Sequence, residues 1–210
     1  AFGPQARILE LGCGAGGVAI PLARQGYEVC GVDFHPGMIK AAGRAGLPNL
    51  RGVVARIETL ALEERFDIVI AAARLINRLE LFPDRAARDH IYAAARRHLR
   101  PGGIFCLEVD YLPWFLTVSR LSEPQFRIDC DSVDRRHGIW QGHFVYLFDD
   151  VVYRQRMTSR LLSVSRIRAE LRRHGFVSAA RPFLTNPADL QLAYRLESRP
   201  PAAERGHAIH

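Results

Sequence analysis

The sequence predicts an α/β fold whose mostly parallel sheet is covered by helices on both faces. Three observations carry that expectation. Apolar strand-like runs at residues 8–11, 27–32, 50–55, 66–71 and 104–109 alternate with helix-like stretches, which implies right-handed crossovers. The run Phe66-Asp-Ile-Val-Ile-Ala71 is nearly continuously apolar, as suits a strand buried on both faces. The first strand also runs straight into a glycine-rich turn, Gly12-Cys-Gly-Ala-Gly-Gly17, at the sheet edge where such folds bind ligands.

Each element has its own local reason. Residues 16–25 are predicted as a short helix closed by Gly26. Pro36 pre-sets the first turn of a helix that reaches residue 45 and ends at Gly46. Residues 84–99 read as a helix because Ile91, Ala95 and Leu99 recur on one face. Arg100-Pro-Gly-Gly103 stops it ahead of the strand at 104–109. The chain then changes character: residues 111–136, with Pro113 and Pro124, read as irregular. Residues 139–148 and 151–162 read as two strands of an antiparallel hairpin joined at Asp149-Asp150. Ser163 or Ser165 caps a helix through His174, with Ile167 and Leu171 facing inward and Gly175 at its end. Residues 176–184 and 190–196 read as closing strands, and 200–210 as a disordered tail.

At 210 residues the chain is expected to form one domain, residues 1–199. No apolar run approaches the roughly 20 residues of a membrane span, and no signal peptide is visible at Ala1. Cys13, Cys30, Cys106 and Cys130 show no C-x-x-C spacing, so free thiols in a reducing, cytoplasmic setting are expected, with no metal site. The net charge of +7 is concentrated in residues 135–181, where ten arginines face only Asp149, Asp150 and Glu170. Arg154, Arg156 and Arg160 share one face of an alternating strand. No basic–aromatic interleaving accompanies them, so a solvated face is favoured over a nucleic-acid surface.

Residues 7–33 form a unit built to hold a nucleoside: strand, glycine turn, helix, then a second strand that ends on Asp33. Gly12, Gly14 and Gly17 fit G-x-G-x-x-G, and Asp33 lies where a ribose-binding acid of a dinucleotide site is expected. In such a site the turn and the helix N-terminus face a pyrophosphate. Glu10, two residues before Gly12, would repel that dianion. The same carboxylate suits a cofactor that carries an ammonium and a sulfonium.

The run Ile8-Leu-Glu-Leu-Gly-Cys-Gly-Ala-Gly16 resembles motif I of the class I S-adenosylmethionine (SAM) methyltransferases: an acid, any residue, then G-x-G-x-G. Phe66-Asp67 and Leu99-Arg-Pro-Gly-Gly103 are further marks, and the similarity spans residues 7–110. The resemblance implies a Rossmann-like, seven-stranded sheet whose last strand is antiparallel. It makes residues 1–110 the cofactor-binding half, 111–162 a β-hairpin insertion after strand five that forms a substrate lid, and 163–199 the closing helix and strands. It also implies SAM as cofactor and a methyl transfer to an oxygen or nitrogen of a small-molecule acceptor.

The resemblance places cofactor contacts at Glu10, Gly12, Cys13 and Gly14, with Asp33 accepting the ribose hydroxyls and Phe34 and Met38 lining the adenine. The family often has an acid after strand three for the adenine amino group. Arg56 stands there instead and cannot accept a hydrogen bond. Stacking by Arg56, backbone contacts at Arg56 and Ile57, or a reach by Glu58 remain open readings. Ala72, with Ala71 and Ala73, offers carbonyls to the methionine ammonium, and Asn77 either shapes the mouth or serves as a helix cap or a surface residue.

Methyl transfer from an activated sulfonium is an in-line displacement, so alignment and exclusion of water matter more than a catalytic triad. Tyr111, Trp114, His137, Trp140 and His143 are expected to face the acceptor, with His143 as the candidate base against the more ordinary reading of a structural histidine. Three other functions stand beside this one. They are an RNA methyltransferase that uses the arginine-rich segment, a non-catalytic relative that binds SAM or S-adenosylhomocysteine (SAH), and a nicotinamide-dependent oxidoreductase, against which Glu10 argues.

Overall fold

The computed structural model describes residues 3, 5–109, 122–123, 126–148, 151–179 and 190–196. The chain runs through β1 (Arg7–Leu11), α1 (Ala19–Arg24), β2 (Glu28–Asp33), α2 (Pro36–Gly43), β3 (Leu50–Val54), β4 (Phe66–Ala71), α3 (Arg85–His98) and β5 (Leu99–Val109). It continues through β6 (Ser122–Glu123), β7 (Phe126–Asp134), β8 (Ile139–Phe148), β9 (Val151–Arg160), α4 (Val164–Arg173), β10 (Phe176–Ser178) and β11 (Leu190–Leu196).

Seven strands form one sheet in the order β10-β11-β5-β4-β1-β2-β3. The pairs among β1 to β5 are parallel, and β11 runs antiparallel to both β5 and β10. This is the predicted α/β sheet with its antiparallel final strand. Leu9, Leu11, Val32, Val69 and Phe105 fill its core, together with Ile91 and Tyr92 of α3 and Ile167 and Leu171 of α4. The Asp84 carboxylate caps α3 by accepting from Ala87 N–H, and Ser163 caps α4 by accepting from Arg166 N–H.

Several boundaries differ from expectation for local reasons. α1 starts at Ala19 because Gly14 and Gly16 hold left-handed φ values of 52° and 93°, which keeps the preceding turn out of the helix. β5 starts at Leu99, because Leu99 pairs with Phe66, and the strand passes an irregularity at Gly102, with φ 75°, before Ile104 pairs with Ile68. β10 ends at Ser178, and the remainder of the strand expected to residue 184 falls outside the described residues, as does the tail.

The clearest correction concerns residues 111–136. Where an irregular segment was expected, β6 and β7 join β8 and β9 in a second, four-stranded antiparallel sheet. Phe126, Ile128 and Cys130 do alternate with polar residues. A bulge between Cys130 and Ser132 then reverses the phase before Val133, which hides the strand from a period-two reading. Trp140 is fully buried in this sheet's core with Ile128, Phe144 and Met157, so it does not face an acceptor.

β9 docks the second sheet on the first unit. Leu79 N–H donates to the Thr158 carbonyl at 3.1 Å, Thr158 N–H donates to Glu80 Oε1 at 2.8 Å, and Asn77 Nδ2 donates to the Arg160 carbonyl at 2.6 Å. Asn77 is fully buried and thus anchors a strand. At the far side of the sheet, Glu64 forms ion pairs with Arg7 of β1 and Arg51 of β3. The fully buried His98 accepts from Leu62 N–H through Nε2 at 2.9 Å, while its Nδ1 lies 2.7 Å from the Ala94 carbonyl.

Arg88 of α3 and Glu170 of α4, 0% and 2% exposed, join the two helices. Arg88 Nη2 donates to Glu170 Oε1 at 2.7 Å and Nε donates to Oε2 at 3.2 Å, a bidentate pair. Tyr92 donates to Oε2 at 3.0 Å. Burial opposes ionisation of Glu170, but the hydrogen bonds and charge of Arg88, with the bond from Tyr92, leave its pKa below the ordinary value. Glu170→Ala strands the Arg88 guanidinium in the core. Urea denaturation is expected to show a loss of about 3–5 kcal/mol, with a much smaller loss for the double variant Arg88→Met/Glu170→Leu.

Candidate functional site

A cavity of about 500 Å³ opens at the carboxyl ends of β1 to β4. Gly12 and Gly14 reach it from the turn after β1, and Asp33, Phe34 and Met38 reach it from the end of β2 and from α2. Arg56 and Ile57 follow β3, and Ala72 follows β4. Eight of the ten predicted cofactor positions therefore converge on one space.

Backbone geometry makes the glycine turn. Gly12 N–H and Cys13 N–H both donate to the Val32 carbonyl, at 2.8 and 2.9 Å. Gly14 N–H donates to Asp33 Oδ2 at 3.0 Å, and His35 N–H donates to Oδ1 at 2.9 Å. Asp33 is thus fixed in orientation with acceptor capacity left over, since a carboxylate accepts about four hydrogen bonds. A Cβ added at Gly14 would meet no atom within 4 Å, so this left-handed residue borders open space. Phe34 and Met38, 52% and 43% exposed, give the cavity an uncovered apolar wall. Arg56 Nη2 lies 3.5 Å from Glu58 Oε1, and both residues line the cavity.

Glu10 and Cys13 lie behind the turn and do not line the cavity. Glu10 is 3% exposed and its Oε2 has no partner among the described residues. Burial pushes its pKa up to about 8, opposed by a hydrogen bond from Ala19 N–H and reinforced by the charge of Asp33. Cys13 is buried, and desolvation, with the charges of Glu10 and Asp33, pushes its thiol up to about 12. A Cβ on Gly31 would sit 2.8 Å from the Cys13 sulfur, so this side chain packs against β2. The sequence pattern identified the register of the acid and the thiol but not their depth.

The connection after β4 is strained. Ala73 and Arg74 adopt left-handed φ values of 51° and 58°, at a cost of roughly 1–3 kcal/mol each. Glu108 of β5 accepts from Ala73 N–H at 2.8 Å and lies 3.5 Å from Arg74 Nη2. The Arg74 guanidinium also stands 5.8 Å from the Phe144 ring centroid of β8.

The sequence reading missed Arg78, Glu80 and Phe82 from the stretch after β4, and Gln155 from β9, all of which line the cavity. Their position beyond a strand's carboxyl end was the available signal; for Gln155, no local pattern announced it. His143 does not line the cavity, and its Nδ1 lies 3.3 Å from Asp131 Oδ2. His137 sits in an exposed turn, 2.7 Å from Asp134 Oδ2. Tyr111 and Trp114 lie outside the described residues. No group of His, Cys, Asp and Glu that could hold a metal occurs among the described residues. Residues 15–24 do not line the cavity.

The folded Glu10 pKa near 8, against 4.5 ordinarily, gives a sign for stability. The neutral carboxyl is tolerated at low pH, and stability falls as pH rises from 4.5 towards about 8. Glu10→Gln is expected to match wild type near pH 4 and to exceed it by on the order of 2–4 kcal/mol at pH 8. Thermal unfolding of the ligand-free protein across that range checks it.

Residues 8–103 match the family model described as a methyltransferase domain. The ubiquinone biosynthesis O-methyltransferase of Xanthomonas oryzae pv. oryzae is 37% identical over 103 residues, 47% of this chain and 40% of that protein. The ribosomal RNA small subunit methyltransferase C of Alcanivorax borkumensis is 29% identical over 119 residues, 54% of this chain and 36% of that protein. The chain therefore spans about two fifths of the length of these curated relatives. A glycopeptide N-methyltransferase solved with SAM matches with a TM-score of 0.65 and 26% identity, over 93% of this chain and 89% of that one. A SAM-bound amino pentose methyltransferase from Micromonospora echinaspora shares the fold, with a TM-score of 0.67 and 21% identity over 91% of this chain and 83% of that one. With its sheet order, its glycine turn tied to Asp33 and these matches, the chain has the Rossmann-like fold of the class I SAM-dependent methyltransferases, and its residues 8–103 are similar to their methyltransferase domain.

Proposed function

We propose that the chain transfers a methyl group from SAM to an oxygen or nitrogen atom of a small-molecule acceptor. The observation that carries this reading is the cavity in which Asp33, locked by Gly14 N–H, stands beside the apolar wall of Phe34 and Met38. That arrangement fits a nucleoside: spare carboxylate acceptors for two ribose hydroxyls, apolar surface for the purine, and a glycine edge that admits close approach. Arg56 and Ile57 are placed to flank the purine, and the carbonyls about Ala72 to receive an ammonium. SAM supplies an activated methyl group on a sulfonium. The chain's own part is to align an acceptor with that methyl and to exclude water.

Arg78, Glu80, Phe82 and Gln155 give the cavity its polar and apolar acceptor end. Residues 111–162 act as the lid over it, between a cofactor-binding half at 1–110 and closing elements at 163–199, all in one domain. The docking of β9 on residues 77–80 supports that arrangement. Relatives named for O-methylation in ubiquinone biosynthesis and N-methylation of a glycopeptide support a small acceptor. An RNA acceptor is less well supported, because Arg154 on the basic face is paired with Asp129 at 3.0 Å. The free thiols of all four cysteines favour a reducing, cytoplasmic setting, and no helix among the described residues is long and apolar enough to cross a membrane.

Calorimetry with SAM, SAH, NAD and NADP tests the reading: SAM and SAH should bind and the dinucleotides should not. Asp33→Ala should weaken SAH binding by roughly 1.5–3 kcal/mol, the worth of hydrogen bonds to a charged group. Gly14→Val should abolish binding while the protein remains folded, since its side chain enters the cavity. Undiminished SAH affinity in folded Asp33→Ala would sink the assignment. Salt-dependent binding to RNA would replace the small-molecule acceptor.

A further inference from the structure

Ala73 and Arg74 are the two non-glycine residues with left-handed backbone among those described, and they stand in succession, Ala73 at the cavity wall. Nothing in their own side chains favours that conformation. It is imposed from β5, where Glu108 grips the turn twice: Oε2 accepts from Ala73 N–H at 2.8 Å, and Oε1 lies 3.5 Å from Arg74 Nη2. Glu108 does not itself line the cavity, whereas Ala72, Ala73 and Leu75 do. Leu75 also rests on the glycine turn, for a Cβ on Gly12 would lie 3.0 Å from its Cδ1. The turn therefore sets two things at once, the peptide groups that end β4 and the leucine that abuts Gly12. The opposite wall, Asp33, Phe34 and Met38, hangs from β2 and α2 and does not depend on it.

We propose that Glu108 is a positioning residue for the amino-acid end of the methyl donor: by clamping Ala73 and Arg74 in a strained turn, it aims the backbone after β4 at the donor's ammonium and carboxylate. The proposal rests on the SAM reading above. It assigns Glu108 no contact with the donor; its influence passes through the Ala73 amide. It also separates the cavity into two halves with different supports. The nucleoside half is independent of Glu108, and the amino-acid half depends on it.

Two probes that differ only in the amino-acid half make the test. SAH carries homocysteine and adenosine does not. Calorimetry of the wild type, Glu108→Ala, Glu108→Gln and each of these combined with Ala73→Gly reads both affinities. Glu108→Ala is expected to lose roughly tenfold or more in SAH affinity, since two left-handed residues lose their brace, while adenosine affinity stays within about twofold. Glu108→Gln still accepts from Ala73 N–H through its amide oxygen but loses the charge on Arg74, so a smaller loss of about twofold to fivefold is expected. Ala73→Gly should restore SAH affinity in either background, because glycine enters the left-handed region without strain. Glu108→Gln with and without Ala73→Gly carries the test if the alanine variant does not fold. Unchanged SAH affinity, a parallel loss for SAH and adenosine, or failure of Ala73→Gly to restore it overturns the proposal. Wild-type protein that binds adenosine but not SAH also overturns it; binding of neither overturns the SAM reading and this proposal with it.

Discussion

Three backbone N–H groups moor the glycine turn to β2. Gly12 and Cys13 share the Val32 carbonyl, and Gly14 takes the Asp33 carboxylate. The glycine edge and the Asp33 wall of the cavity follow from that mooring. It fixes the gap between the carboxyl ends of β1 and β2, orients the one acid that faces the cavity from β2, and bends the chain so that α1 begins late and clear of the cavity. Left-handed φ at Gly12 and Gly14 is the conformational requirement, and only glycine meets it without strain. The parallel sheet supplies rigidity beneath, with Leu9, Leu11 and Val32 all fully buried.

The second sheet depends on the first in the same way. It has a small core of its own, and it reaches the seven-stranded sheet's unit through β9 and residues 77–80. Thr158 exchanges both backbone groups there, giving its N–H to Glu80 and taking Leu79 N–H on its carbonyl. Arg74, over the Phe144 ring, adds a second tether. The cavity wall built from Arg78, Glu80 and Gln155 is thus assembled by the contact between two sheets.

The parallel half was legible because its strands are buried on both faces and punctuated by Gly and Pro, signals that act within a few residues. The cavity wall made by Gly12, Gly14 and Asp33 was legible for the same reason: these residues follow each other at a fixed spacing along one supersecondary unit. β7 was lost to a single bulge, since one extra residue inverts the inward face. Trp140 and His143 looked like acceptor contacts because aromatic and imidazole groups in an insertion invite that reading; one fills a core and the other faces Asp131. Gln155 and Glu108 were invisible because long-range contacts place them, Gln155 beside the cavity residues at 78–82 and Glu108 against the Ala73 amide. Depth was equally unreadable: nothing in Leu-Glu-Leu-Gly-Cys-Gly says that Glu10 and Cys13 lie behind the turn.

The buried imidazole of His98 has a consequence for the opposite edge of the molecule. Burial, chiefly, lowers its pKa, with Ala94 opposing and the Arg97 and Arg65 charges assisting. In the neutral ring Nδ1–H meets the Ala94 carbonyl and Nε2 receives Leu62 N–H, so both nitrogens are occupied and an added proton has nowhere to go but Nε2. Protonation would evict Leu62 and loosen the loop that carries Glu64, the shared anchor of Arg7 on β1 and Arg51 on β3. The contribution is complete above pH 6.5 and is withdrawn as pH falls through the lowered value. Acidification would therefore loosen the seam opposite the glycine turn and undo the belt by which Glu64 ties the outer strand β3 to β1.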